Sequence, residues 1–148
     1  MALFANGMHV LVADGEKAMI LVNDGTVDTP RLRLVDRIEQ DLAAVREGIG
    51  DRPGRMPDAG PGQRSALDEG DPVRHAKARF AALVAARLER LPKGVRLVIA
   101  APPQVLAALR DEMAPALRAH LVGEIDKSFT QMPLERMAPL LAREIDRF

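Results

Sequence analysis

Two Asp-Gly dipeptides, Asp14-Gly15 and Asp24-Gly25, each close a short apolar run: "HVLVA" before the first and "KAMILVN" before the second. Asp-Gly favours a tight turn, because glycine takes a positive φ without steric cost. The runs between these breakers are too short for helices of ordinary length, so they read as strands. A third run, "PRLRLVDRIE", completes a predicted three-stranded antiparallel meander from Met8 to about Ile38. In that third strand Leu32, Leu34 and Asp36 alternate with Arg31, Arg33 and Val35. The alternation predicts one face on the core and one nearer solvent.

After the meander the pattern breaks down. From about Val45 to Asp71 the sequence "VREGIGDRPGRMPDAGPGQRSALDEGD" has little periodicity and many glycines and prolines. A loop of this length within a domain is uncommon, and such loops are usually functional or disordered. Residues from about Gly48 to Gly70 are accordingly expected to form a mobile, separable arm.

Helical periodicity then takes over. Asp71-Pro72 is a good helix start, with Asp71 able to cap free N–H groups and Pro72 at the first helical position, where its missing N–H costs nothing. Val73, Ala76, Phe80, Leu83, Val84, Leu88 and Leu91 fall on one stripe, which Pro92 and Gly94 terminate. "VRLVIAAP" reads as a buried strand, and "PPQVLAALRDEM" as a helix with Leu106, Leu109 and Met113 inward. "HLVGEIDKSF" supplies a last strand. Pro133 opens a final helix that turns Leu134, Met137, Leu141 and Ile145 inward and is expected to kink at Pro139.

The predicted order is β-β-β-α-β-α-β-α. Parallel strands need crossover connections, and these are nearly always right-handed. The fold class is therefore α/β: a five-stranded mixed sheet, an antiparallel meander followed by βαβα units, with helices on its faces. This is the ribonuclease H-like arrangement, with the first strand central. At 148 residues and 47% hydrophobic content, a single domain over residues 1–148 is expected, with the long loop at about 47–71.

Composition excludes several chemistries. With no cysteine, disulfides, thiolate metal sites and a cysteine nucleophile are ruled out. Lys+Arg 21 against Asp+Glu 21 leaves no net field, so any binding to nucleic acid has to come from a local patch. His9, His75 and His120 are widely separated and show no ligand spacing, so no metal site is expected. A metal-dependent nuclease needs converging carboxylates, yet "RLVIAAPP" has none and Asp14 is explained as a turn residue. "GPGQRSA" lacks the Gly-Lys-Ser/Thr ending of a phosphate-binding loop, and Ser65 with His75 shows no nucleophile–base spacing. No cofactor is implied. The first residues lack a cationic start and a continuous apolar run, and no segment reaches the roughly 20 apolar residues of a membrane span, so a cytoplasmic location is expected.

"HVLVADGEKAMILVN", "DRPGR", "GQRSALDEGDP", "LVIAAPPQVLAALR" and "GEIDKSFTQMP", in this order, resemble the bacterial family called "protein required for attachment to host cells". The resemblance runs from about His9 to Leu141. That family is similar in turn to bacterial and archaeal domains related to the middle domain of the class I release factor of archaea and eukaryotes, which implies the same ribonuclease H-like fold. It also marks Glu124, Asp126 and Lys127 as part of the family pattern. These three otherwise read as a solvated strand end or a salt bridge.

In release factors a Gly-Gly-Gln loop between the third strand and the first long helix enters the peptidyl-transferase centre, where the glutamine helps position water against the peptidyl-tRNA ester. Gly60, Pro61, Gly62 and Gln63 occupy the corresponding place, followed by Ser65-Ala66-Leu67. Pro61 departs from the pattern by removing an N–H and restricting Gly60 to extended conformations. The resemblance makes Gln63 a candidate catalytic residue. Arg52, Arg55, Arg64, Arg74, Lys77 and Arg79 cluster about the loop and could contact a phosphate backbone. Asp51, Asp58, Asp68, Glu69 and Asp71 are interspersed among them, and with 3% aromatic residues the chain offers few stacking platforms.

Three functions follow as expectations. The first is a binding domain for the ribosome or a structured RNA. The second is a protein-interaction factor that acts indirectly in attachment to host cells. The third is a peptidyl-tRNA ester hydrolase using Gln63. Oligomeric state is not legible from these patterns.

Overall fold

The computed structural model describes residues 2–41 and 72–148. Three strands, β1 (His9–Ala13), β2 (Lys17–Asn23) and β3 (Leu32–Glu39), precede helix α1 (Pro72–Leu88). Strand β4 (Leu97–Ala100), helix α2 (Pro103–Glu112), a short helix α3 (Pro115–Arg118), β5 (Leu121–Ile125) and helix α4 (Leu134–Ile145) follow. The sheet order is β3-β2-β1-β4-β5, with β1 antiparallel to β2 and parallel to β4, and β4 parallel to β5. The predicted α/β class, the mixed five-stranded sheet and the central first strand are all present, and among the described residues α3 is the one addition.

Alternation along β1 and β4 builds two cores, because every strand residue faces the side opposite its neighbour. Leu11, Ala13, Ile20, Leu97 and Ile99 meet Phe80, Val84 and Leu88 of α1 and Leu106 and Leu109 of α2. On the other face Val10, Val12, Leu21, Val98 and Ile125 meet Met137, Leu141 and Ile145 of α4. With both faces covered, β1 and β4 read as continuous apolar runs rather than alternating ones.

The turns form where predicted, but by another cause. Neither Gly15 nor Gly25 has a positive φ. At the first turn the Asp14 carboxylate does the work: its Oδ1 accepts from the backbone N–H groups of Glu16 and Lys17, both at 2.7 Å. The second connection, residues 24–31, is organised by the buried side chain of Asn23. Its Oδ1 accepts from Gly25 N–H at 2.8 Å and Arg31 N–H at 3.0 Å, while its Nδ2 donates to Phe4 O at 2.8 Å. Gly25 is required for space, since a Cβ there would lie 2.3 Å from Thr29 O.

The third strand corrects the predicted alternation. Leu21 pairs with Leu34 but Ile20 pairs with Asp36, so Val35 is an extra residue in β3. Such a bulge reverses the face of everything beyond it. Leu32 therefore joins the α4 core, whereas Ile38 joins the α1 core. Leu34 stays 43% exposed instead of packing inward. A second correction concerns α1, where Leu83 is 45% exposed. It sits about 100° around the helix from Val84, beyond the arc that Phe80, Val84 and Leu88 bury. The helix also ends at Leu88, three residues short of the predicted stripe, and Leu91 packs against the core from the unwinding turn that follows. The final helix runs from Leu134 to Ile145 with Pro139 inside it, and Leu134 is only partly buried.

The bulge has an electrostatic result. It turns Asp36 toward α1, where Arg87 Nη1 donates to Asp36 Oδ2 at 2.8 Å and Oδ1 at 3.0 Å. That hydrogen bond, chiefly, holds the Asp36 carboxyl below the usual carboxylate range. A carboxyl whose folded-state pKa is lowered contributes stability that is full above its unfolded value, about 3.9, and is lost as pH falls through the folded value. Asp36→Asn is expected to cost up to about 1 kcal/mol at neutral pH, since the pair is partly solvated. Urea titrations over a pH series should show the gap between the two proteins unchanged above about pH 5 and closing at lower pH.

Candidate functional site

Strands β1, β3, β4 and β5 all point their C-terminal ends to one rim of the sheet, because β1, β4 and β5 are parallel and β3 is twice reversed from β1. In open α/β sheets this rim is where ligands bind. Here it holds an open depression of about 850 Å³ lined by Asp14, Glu16, Lys17, Glu39, Gln40 and Lys77, among others. Next to it, and sharing Asp14, Gly15 and Lys77, lies a smaller apolar groove of about 230 Å³ between α1 and α2.

Asp14 sits at the junction. Its Oδ2 accepts from the hydroxyl of buried Thr130 at 2.6 Å, and Oδ1 already serves two backbone N–H groups. The carboxylate is thus held by the turn and by the segment after β5. Among the described residues there is no group of three or more His, Asp or Glu side chains able to hold a metal ion.

Gln40 also contributes, although no local pattern marks it. Its Nε2 donates to Gly15 O at 3.1 Å and to Ala76 O at 3.3 Å, tying the end of β3 to the first turns of α1. Residues 41 and 72 flank the segment that carries Gly60, Pro61, Gly62, Gln63, Arg52, Arg55 and Arg64, and these seven residues lie outside the described ones. Both junctions of that segment with the fold are at this rim.

Arg74, Lys77 and Arg79 are all exposed on α1. At 3.6 residues per turn, Arg74 and Lys77 lie about 60° apart, whereas Lys77 and Arg79 are separated by about 160°. Lys77 lines both the depression and the groove, while Arg79 turns to the opposite side of the helix. The depression itself carries the carboxylates of Asp14, Glu16, Glu39 and Asp41 against the ammonium groups of Lys17 and Lys77. Among the described residues its balance is acidic.

The remaining charged and histidine residues separate. Glu124 is paired with Arg110 of α2, and Lys127 donates to Glu144 of α4 at 2.7 Å, so Glu124 and Lys127 serve two different helices. His9 lies at the far end of β1, where burial lowers its pKa, with Gly7 O opposing the shift and Arg33 adding to it. His75 lies on the exposed side of α1, and His120 lines a different cavity at the start of β5. No described helix is long and apolar enough to cross a membrane.

A mixed five-stranded sheet with its first strand central and helices on both faces makes the described residues an α/β domain. The chain belongs to bacterial archaeo-eukaryotic release factor family 12, whose model matches residues 8–139. The match supports the release-factor side of the sequence resemblance, and it gives no support to the host attachment name or to the attachment role drawn from it. No curated protein matches the sequence.

Proposed function

We propose that the protein is a binding domain that engages the translation machinery or a structured RNA through the segment between β3 and α1. The observation that carries this reading is membership of a release-factor family over residues 8–139, with that segment joined to the fold at the ligand-binding rim. Arg52, Arg55 and Arg64 of the segment and Arg74, Lys77 and Arg79 of α1 are the proposed phosphate contacts. The carboxylates of the depression disfavour a phosphate backbone inside it, so the contacts would run along the segment and the outer side of α1, with Lys77 reached only at the border of the depression. Gln63 is dispensable in this reading, because binding needs no water to be positioned.

Co-sedimentation with ribosomes at low and moderate salt tests the proposal. The wild-type protein is expected in the ribosomal pellet at low salt and to be released as salt rises, since phosphate contacts displace counterions. Gln63→Ala should pellet like the wild type. Shortening residues 48–70 or combining Arg74→Glu with Arg79→Glu should leave the protein in the supernatant, with thermal unfolding nearly unchanged in the shortened chain. A wild-type protein that stays wholly in the supernatant at low salt would rule out the ribosomal reading.

A further inference from the structure

The groove between α1 and α2 differs from the depression beside it. Its walls are Phe80, Ala81 and Val84 of α1 and Val105, Ala108 and Leu109 of α2, and among the described residues its charged lining is Asp14 and Lys77, both shared with the depression. Asp14 is already engaged by three hydrogen bonds from Glu16, Lys17 and Thr130. Lys77 has no ion pair or hydrogen bond to any described residue, which leaves its ammonium as the charge a ligand can use.

We propose that this groove binds a small apolar monocarboxylate, with a ring or branched chain between α1 and α2 and the carboxylate at Lys77. Size supports the apolar half: about 230 Å³ exceeds the roughly 150 Å³ cavity that takes up benzene, leaving room for a ring with a short tail. Charge complementarity supports the other half. A cationic ligand would meet the Lys77 ammonium, and a dianionic phosphate would meet the carboxylates of Asp14 and Glu16 on the adjoining rim. A single negative charge satisfies Lys77 with the least opposition from those groups. The groove reading does not depend on the ribosomal one, since its readout is local to α1 and α2.

The test is methyl-detected NMR on the full chain, following Val84, Val105 and Leu109, with three probes that share a phenyl ring: 3-phenylpropionate, phenethylamine and phenyl phosphate. Saturable shifts at these methyls are expected with 3-phenylpropionate at millimolar concentration, and binding of the other two should be weaker by about tenfold or more. Lys77→Gln, a surface change, should weaken 3-phenylpropionate by about tenfold. Ala108→Leu, which fills the groove, should abolish the shifts while the rest of the spectrum stays folded. The proposal is overturned if no probe gives saturable shifts at these methyls, if phenethylamine or phenyl phosphate binds as well as the carboxylate, or if Lys77→Gln leaves the affinity unchanged.

Discussion

Replacing Asn23 with leucine is expected to lower the unfolding free energy by roughly 3 kcal/mol, measured by urea denaturation at neutral pH. The side chain is 1% exposed and serves four backbone groups: Phe4 O, Gly25 N–H, Arg31 N–H and, at 3.4 Å, Thr26 O. Leucine has similar volume, so the loss comes from unmade hydrogen bonds rather than from a cavity. Each stranded group costs about 1–3 kcal/mol where water cannot reach it, and the two N–H groups, being less buried, recover part of that from solvent. Asn23→Asp keeps both acceptor bonds but turns the donor toward Phe4 O into a repelling oxygen. It should fall between the wild type and Asn23→Leu. Equal stability of Asn23→Leu and the wild type would mean that residues 24–31 hold their shape without this side chain.

Leu11→Ala is expected to cost about 3 kcal/mol, within the 2–5 kcal/mol range for truncating a buried leucine. Leu11 is 0% exposed on the central strand, opposite Ile20 and Ile99, beneath the helices that cover that face. Neighbours on β1 are fixed by hydrogen bonds to two other strands, so the site cannot collapse around the void. The same truncation at Leu134, which is only partly buried at the start of α4, should cost less than half as much. Thermal and urea unfolding of the two variants side by side checks the ordering.

Strand order and helix faces were legible in the sequence where local signals agree with the tertiary outcome. The apolar runs of β1 and β4, the Pro72 start of α1 and the inward set Leu106, Leu109 and Met113 all needed only periodicity and breakers. The bulge at Val35 was hidden because it is a property of the pairing between β3 and β2. Leu32, Leu34 and Asp36 alternate in sequence whether or not a residue is skipped in the register. The short helix α3 was hidden for another reason: four residues are too few to show a period.

At the candidate site, Arg74, Lys77 and Arg79 could be named from charge alone, but their division between two sides of α1 needed the helix placed on the sheet. Gln40 could not be found in advance. Its role depends on Gly15 O and Ala76 O arriving within reach from elements 25 and 36 residues away in the chain. The rim is a product of topology, since it gathers the ends of strands that are dispersed through the sequence.

The extra residue in β3 has a consequence beyond the face it presents. Among the described residues β3 is an outermost strand, so one row of its backbone N–H and C=O groups lacks a strand partner. A regular row of that kind templates the addition of a foreign strand, and with Leu34 and Val35 exposed upon it the template would also be sticky. Val35 interrupts the regular spacing midway, and the charged Arg33 and Arg37 stand exposed on either side of the break. An incoming strand could match one half of β3 or the other but not both in a single register. The irregularity that brings Asp36 to Arg87 thereby also makes this margin of the sheet a poor template for strand addition.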